Sequence, residues 1–329
     1  MNIKLLEILA CPECHGGLKP VSVKINEGNE ITEGVLSCGS CGREYPIVGG
    51  IPRFIETRNY ASSFGYQWNK FMTEQLDSYN GTNCSKNRFY SETNWSKDWM
   101  GGKWILDAGC GAGRFLDIAS QSKGLIVGID ISNSVEAARK NLEARDNIFL
   151  VQASIYKLPF RDLTFDGLYS IGVIQHTPDP AKALGSLPRV LKKNGKIAVT
   201  IYEKKRWTLL CGKYLIRPLT KRMNKKTLLF AIRLLMPILF PVTEVLFRIK
   251  ALNKLFTFVI PVANYVDNKQ LTMRQRYNWA VLDTFDMLSP YYDQPQVQAD
   301  VERSLRGAGI GQMRRLAENP GLNMIGEKS

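Results

Sequence analysis

Short apolar runs alternate with amphipathic stretches through the middle of the chain. Between the runs, FLDIASQ has helical spacing, and SVEAARKNLEARD places Val135, Ala138 and Leu142 on one face with Ser132 or Ser134 available as its cap. The alternation of strands with helices predicts a doubly wound, Rossmann-like α/β fold with a parallel sheet. The runs that predict its buried strands lie at 103–108, 125–130, 148–152, 165–171 and 195–202.

A different pattern precedes the first of these strands. Residues 59–102 are polar and aromatic and are predicted to form a helical lid or linker. The stretch FGYQWNKF carries Phe64, Tyr66, Trp68 and Phe71. These rings are expected either to cover a ligand cleft or to pack between two domains.

Another departure follows the fifth strand. Residues 203–254 hold 13 lysines and arginines and two acids, which is a net charge of +11 out of +14 for the chain. The apolar part is interrupted by charges and by Pro237 and Pro241, whereas a spanning helix needs about 20 consecutive apolar residues. We therefore expect an insert over 203–268, between strands five and six, with a pair of helices lying at an interface. The alternative is a helical lid whose apolar face packs on the sheet or in a dimer.

Four cysteines lie in two pairs near the N-terminus, each pair separated by two residues. A tetrahedral zinc ion takes four thiolates in this arrangement, and a closed four-sulfur site is structural. We therefore predict a zinc-ribbon domain over 1–58, with His15 as a bystander. The predicted ligands are Cys11, Cys14, Cys38 and Cys41.

The first strand ends in the turn LDAGCGAGR, at 106–114. Its three glycines allow close backbone approach, but Arg114 stands where a dinucleotide fingerprint requires glycine or alanine, and a P-loop ending is absent. Asp107 precedes the loop, and Asp130 ends the second strand, where a carboxylate can accept from ribose hydroxyls. Two acids without a phosphate signature suit S-adenosylmethionine (SAM), a nucleoside with ammonium and sulfonium charges.

Two resemblances support these predictions. The stretches LLEILACPECHGGL and LSCGSCGREYPIVGGIPRF resemble small zinc-ribbon proteins that bind and activate methyltransferases. The motifs LDAGCGAGRF, VGIDIS, VQASIYKLPF, FDGLYSIGVIQHTPDP and RVLKKNGKIAVTIY resemble class I SAM-dependent methyltransferases, which implies such a domain over 103–329.

The second resemblance implies a set of cofactor-binding residues. The glycine loop would hold the methionine end and Asp130 the ribose, while Ser154 replaces the acid that relatives use for the adenine amino group, so the Ile155 backbone is an alternative contact. The residues implied are Asp107, Gly109, Cys110, Gly111, Gly113, Asp130, Ile131, Ser154, Ile155 and Ile171.

The sequence constrains the identity of the methyl acceptor less than that of the cofactor. His176 follows the fourth strand and is a candidate base or orienter, with a structural role at the Thr-Pro turn as the alternative. Asp286 and Tyr291 are further catalytic candidates; with Asp283 and Tyr292 they would line an acceptor pocket or anchor a loop. The absence of an Asn/Asp-Pro-Pro-Tyr motif argues against transfer to a base amine or a glutamine amide.

These features predict O-methylation of a small-molecule or lipid-linked acceptor, such as a saccharide or natural product. Alternatives are a methyltransferase acting on rRNA or tRNA, and a non-catalytic SAM-binding scaffold. The partners expected are the acceptor and an anionic membrane surface at 203–254, with nucleic acid second and a homodimer as another alternative. The expected location is the cytoplasm, peripherally on the inner face of the membrane.

Overall fold

The computed structural model describes residues 1–25, 30–55, 60–317 and 321–329. The predicted boundary between the ribbon and the lid, at 58–59, lies outside these residues and stays a prediction. Among the described residues the strands form one sheet of four and one sheet of seven.

The N-terminal unit is an antiparallel sheet preceded by a short 3-10 helix at Ile3–Glu7. Its strands pair in chain order. The tight turns that connect the last strands have Gly42, Gly49 and Gly50 at positive φ, where a side chain would be strained. The strands are β1 (Leu18–Ile25), β2 (Ile31–Cys38), β3 (Glu44–Val48) and β4 (Ile51–Pro52).

Four helices then lead to the main sheet, as the polar and aromatic sequence of 59–102 predicts. Thr93, in the third of these helices, donates to the Phe89 carbonyl (2.9 Å), and the left-handed Asn94 ends that helix. The helices are α1 (Ser62–Lys70), α2 (Asp77–Asn80), α3 (Cys84–Thr93) and α4 (Lys97–Met100).

The main domain alternates strands and helices, so the predicted doubly wound α/β fold is confirmed. Its apolar strands are almost wholly buried because helices cover the sheet. The elements are β5 (Trp104–Ala108), α5 (Arg114–Ala119), β6 (Leu125–Asp130), α6 (Ser134–Leu142), β7 (Ile148–Gln152), β8 (Phe165–Ile171), α7 (Pro180–Ser186) and β9 (Leu191–Ile201). The expected serine cap is wrong: Asn133 occupies the cap of α6 and makes no side-chain cap bond, while Ser132 bonds to Asp130.

A helical insert follows β9, as predicted, and the sheet then closes with two antiparallel strands. The order β10-β11-β9-β8-β5-β6-β7 puts the ends of β5 and β8 side by side at its centre, where the order reverses. The remaining elements are α8 (Gly212–Thr220), α9 (Lys225–Leu246), α10 (Asn253–Val259), α11 (Met273–Leu288), α12 (Gln298–Gly307), β10 (Ile310–Arg315) and β11 (Leu322–Lys328).

The expected break in the apolar part of the insert is absent. Helix α9 runs for 22 residues through Pro237 and Pro241. Each proline removes one helical hydrogen bond, but the buried stripe of α9 packs against α11, and this packing outweighs the loss. Among the described residues α9 alone is long and apolar enough to cross a membrane, judged by length and composition.

The N-terminal sheet lies against the edge strand of the main sheet. Arg53 forms a parallel bridge with Gln152 at the end of β7, and the Phe54 amide donates to the Gln152 carbonyl (2.8 Å). Leu9 pairs with Phe160 in a second bridge. Apolar side chains of both units form one continuous core, so the two sheets stabilise each other.

Candidate functional site

The glycine loop between β5 and α5 is built from three left-handed residues. Gly109, Gly111 and Gly113 have φ of 99°, 54° and 90°. A Cβ on Gly109 would lie 2.5 Å from Val173, and one on Gly113 would lie 2.5 Å from Leu142. Only glycine therefore fits at these positions, and the loop presents bare backbone at the sheet edge.

Asp107 lies beneath this loop, in β5, and is buried. Its Oδ2 has no hydrogen-bond partner within the described part of the chain. Burial raises the pKa of this carboxyl well above its usual range, and the nearby Asp130 carboxylate adds to the rise. The Tyr169 hydroxyl lies close to this carboxyl and opposes part of the rise in pKa. A buried acid with one oxygen free of a hydrogen bond suits a cationic ligand, which would compensate its charge.

Asp130 ends β6 beside the loop. Its Oδ2 accepts from the Gly111 amide (3.0 Å), and its Oδ1 accepts from the Ser132 amide (2.8 Å) and hydroxyl (2.7 Å). A carboxylate offers about four acceptor sites, so one is left for a ligand hydroxyl. Binding both ribose hydroxyls requires the Ser132 hydroxyl to turn away. The residues therefore fit a nucleoside, with Ser132 as an added participant.

The remaining residues implied for the cofactor lie around the same sheet edge. Cys110 is buried within the loop, and Ile155 and Ile171 are nearly buried after β7 and at the end of β8. The Ser154 hydroxyl accepts from the Tyr156 amide (3.3 Å), and the Gln152 side chain donates to the Ile131 carbonyl (3.3 Å). These contacts fix the turns on which an adenosine would rest.

Helix α1 lies over the loop. Trp68 Nε1 is 3.1 Å from the place a Cβ on Gly111 would take, and Phe64 packs against the His176 ring with centroids 5.1 Å apart. The helix packs on α6 and α11. Phe64 thus lies beside His176 and Trp68 beside the loop, and Tyr66, Trp68 and Phe71 also pack in the apolar cluster formed by α9 and α11.

His176 lies in a short 3-10 helix directly after β8 and is 5% exposed. Its Nδ1 is 3.0 Å from the Tyr292 carbonyl. Because a carbonyl can only accept, Nδ1 carries the proton and Nε2 holds a lone pair. Nε2 is buried and makes no hydrogen bond to any described residue. This arrangement gives the pocket one unused basic nitrogen.

The four acceptor candidates on the segment after the insert are placed differently from one another, and the carbonyl of one of them, Tyr292, lies 3.0 Å from His176 Nδ1. Asp283 and Asp286 belong to helix α11, and their role as acceptor-pocket residues or as loop anchors stays a prediction. Gln67 donates to Asp286 (3.0 Å), which ties α1 to α11. Tyr291 is 53% exposed and packs against Tyr292 and the Lys221 ammonium; the structure does not bring its ring to His176.

Two tyrosines in the cleft were missed by the sequence reasoning. Tyr202 follows β9 and meets the His176 ring edge-on, with centroids 5.5 Å apart. Tyr60 packs against Tyr292 (5.9 Å). Burial raises the pKa of both phenols, with neighbouring carboxylates adding to the rise, so both stay protonated. The position of Tyr202 at the end of a parallel strand was a usable signal; Tyr60 carried none.

The four cysteines of the N-terminal unit converge. Their sulfurs all lie within 4.8 Å of one another, with Cys11 3.7 Å from Cys41 and Cys14 3.5 Å from Cys38. A tetrahedron with Zn–S bonds of about 2.3 Å has edges of about 3.8 Å. The sulfur set therefore fits a zinc ion, while His15 is exposed and contributes no atom to the cluster.

Comparison with known families divides the chain in the same way. Residues 106–199 match the family described as a methyltransferase domain, and residues 2–50 match the family described as Trm112p-like protein. The glycine loop, β6, β7, β8 and His176 lie within the first match, and the cysteine cluster lies within the second.

Three curated relatives show how far the similarity extends. An uncharacterized chloroplastic methyltransferase of Arabidopsis thaliana is 25% identical over 60% of this chain and 62% of its own length. An O-methyltransferase of Aspergillus nomiae is 36% identical over 30% and 46%, and a tRNA U34 carboxymethyltransferase of Photobacterium profundum is 30% identical over 32% and 37%. This chain therefore spans less than two thirds of the length of each.

Proposed function

Because the chain joins a Trm112p-like domain to a methyltransferase domain, we propose that it transfers the methyl group of SAM to an oxygen atom. The acceptor would be a small or lipid-linked molecule that bears a hydroxyl group, such as a saccharide or natural product. The observation that carries the oxygen assignment is the unpartnered, buried Nε2 of His176.

SAM supplies an electrophilic methyl group when it is bound. The glycine loop would accept its methionine end, Asp107 would face its positive charge, and Asp130 would hold a ribose hydroxyl. Methyl transfer needs the two reactants aligned, and the rings of α1 would shield the bound reactants from water above the loop. The cysteine cluster would hold zinc, which would stabilise the ribbon and take no part in the transfer.

His176 would remove the acceptor proton. An alcohol or phenol loses its proton as the new bond to carbon forms, and a neutral imidazole can take it at Nε2. The Tyr292 carbonyl fixes the tautomer that this role requires. Phe64 and Tyr202 pack against the same ring and would position the acceptor beside it. The relative from Aspergillus nomiae, named an O-methyltransferase, supports the same assignment.

The test compares His176→Asn with His15→Asn, which changes the exposed histidine of the ribbon. Transfer from radiolabelled SAM to acceptors in a cell extract is followed in a single turnover, and SAM affinity is measured by calorimetry. We expect His176→Asn to slow transfer by about 10²–10⁴-fold with SAM affinity nearly unchanged. An unchanged rate removes His176 as the base, and a wild-type chain that does not bind SAM overturns the whole proposal.

A second candidate is methylation of RNA. The net charge of +14 and the relative named a tRNA U34 carboxymethyltransferase favour it. Against it, the basic residues of the insert alternate with exposed leucine and phenylalanine, whereas nucleic-acid surfaces mix basic with polar groups. Label that appears in tRNA or rRNA from the same extract, and is lost after ribonuclease treatment, would establish this alternative.

A further inference from the structure

Helix α9 is apolar on two opposite faces. One stripe is at most 7% exposed and packs against α11; it comprises Leu228, Leu229, Ile232, Met236 and Phe240. The other stripe is between 45% and 67% exposed; it comprises Phe230, Leu234, Ile238, Val242 and Val245. A soluble helix normally carries polar residues on its outward face, so the outward stripe of α9 requires an explanation.

The neighbouring elements extend this apolar face. Leu215, Ile216 and Leu219 on α8 are exposed, as are Leu255 and Val259 on α10 and Trp207 just before α8. The opposite side of α8 is held by buried polar bonds: Arg217 donates to the Met287 and Pro290 carbonyls (2.8 and 2.9 Å). Three helices thus present apolar side chains outward; α8 and α9 are fixed to the domain by their inner sides, and α10 contacts α8.

Positive charge accompanies the exposed stripe. The lysines and arginines of 203–254 outnumber the acids by 11, and both acids are already paired. Glu203 bonds to Arg315 (2.7 Å), and Glu244 is paired with both Arg276 and Arg248. Arg222, Lys226 and Lys250 are exposed near the ends of α9. The surface is therefore apolar in its middle and cationic at its margins.

We propose that α8, α9 and α10 hold the chain on the surface of an anionic lipid bilayer. The exposed leucine, isoleucine and phenylalanine side chains would enter the boundary between headgroups and acyl chains, with the lysines and arginines at headgroup level. Helix α9 lies on the bilayer and does not cross it, because crossing would strip its inner stripe from α11 and expose the core.

Charge and apolar exposure together favour an anionic bilayer over two other occupants of this surface, a second copy of the chain and RNA. A second copy of the chain would bring two cationic surfaces together, and like charges repel. RNA would match the charge but would leave the apolar stripe in water. An anionic bilayer satisfies both properties at once. This inference rests on exposure and charge alone, so it holds whether or not the chain transfers methyl groups.

The test is flotation of the full chain with vesicles of phosphatidylcholine alone and of phosphatidylcholine mixed with phosphatidylglycerol. The double variant Leu234→Asp/Ile238→Asp changes two outward residues one turn apart. Its control, Ile3→Asp, also replaces an exposed apolar side chain with an acid, in the first turn of the ribbon's short helix, where an acid is tolerated. Circular dichroism and SAM affinity check that each variant remains folded.

We expect the wild type and Ile3→Asp to float with the anionic vesicles, and the double variant to bind at least tenfold more weakly. Arg222→Gln/Lys226→Gln should weaken binding to anionic vesicles by about fivefold per residue and leave binding to phosphatidylcholine unchanged. Failure of the wild type to float, or equal flotation of all variants, overturns the proposal. The proposal is also overturned if the double variant converts a dimer to a monomer without changing vesicle binding, or if the chain binds RNA but not vesicles.

Discussion

At the scale of single residues, Asp283 is an acid whose ionisation is unfavourable in the folded chain. Asp283 accepts from Gln75 (3.1 Å) and from Tyr265, and it lies near Asp286, Arg114 and Arg88. Burial first, and then the Asp286 carboxylate, raise the pKa of Asp283 to about 7 despite the two arginines. At pH values below about 7, Asp283 is therefore mostly protonated in the folded chain.

The stability of the chain should follow this titration. With a pKa of about 7 in the folded state and about 3.9 in the unfolded state, the folded chain binds more protons between these values. The contribution of Asp283 to the free energy of unfolding therefore falls as pH rises from about 4 to about 7, by up to about 4 kcal/mol. We expect Asp283→Asn to remove this contribution and make the pH slope shallower, while the raised pKa of the buried Asp107 keeps a slope of its own.

Denaturant titrations at pH 5 and pH 8 measure the free energy of unfolding of the wild type and of Asp283→Asn. Only the difference between the two pH values is informative, because the asparagine also exchanges an acceptor for a donor. Asp300→Asn, at an exposed ion pair, serves as the control and should keep the wild-type slope. If Asp283→Asn keeps that slope as well, another group causes the fall.

Residue-level inference from the sequence succeeded where chain geometry alone decides. The three glycines are dictated by a tight turn after a strand, and Asp130 by the end of the next strand, so their placement could be predicted from LDAGCGAGR and LIVGID. Tyr202 could have been inferred from its position at the end of the fifth strand, whereas Tyr60 reaches the cleft through tertiary packing, which leaves no periodic signal. The exposure of Tyr291 likewise depends on tertiary packing.

At the scale of elements, the apolar runs predicted the parallel strands because those strands are buried on both faces and read as continuous hydrophobic sequence. Helix α9 shows the limit of such reasoning. Proline lowers helix stability locally, but the packing energy of Leu228, Ile232 and Met236 against α11 cannot be read from the local sequence. The predicted break was therefore wrong although the insert itself was placed correctly.

Helix α1 should control how long SAM stays bound. Trp68 lies over Gly111, so Trp68→Ala would open the loop to water and weaken SAM affinity by about 10–100-fold, mainly through faster dissociation. Stopped-flow fluorescence or calorimetry with the purified chain would measure this. Trp207→Ala, which changes an exposed tryptophan of the insert, is the matched control. Unchanged SAM dissociation in Trp68→Ala would mean that α1 does not act as a cover.

At the scale of the whole molecule, the ribbon and the main domain depend on each other. Their apolar side chains form one core, and Arg53 joins β7 through its bridge to Gln152 and a bond from its guanidinium to the Gln152 side chain (2.8 Å). The cysteine spacing predicted the ribbon but not this contact, because docking depends on two surfaces that are distant in sequence.

Loss of the metal should therefore lower the stability of the main domain as well as that of the ribbon. We expect a purified chain to contain one zinc ion, and expect Cys38→Ser or a strong chelator to lower the melting temperature of the main domain by about 5–10 °C. Elemental analysis and thermal unfolding measure the two effects. Cys84→Ser, outside the cluster, should change neither. A melting temperature that is independent of zinc would show that the two units unfold separately.

The docking of the ribbon on β7 within a single chain has a consequence for behaviour at low abundance. Two subunits that meet through such an edge separate on dilution, whereas a tethered partner experiences an effective concentration of about millimolar whatever the number of molecules in the cell. The ratio of the two units is fixed at one. Specific activity should accordingly stay constant down to the lowest enzyme concentrations that can be assayed.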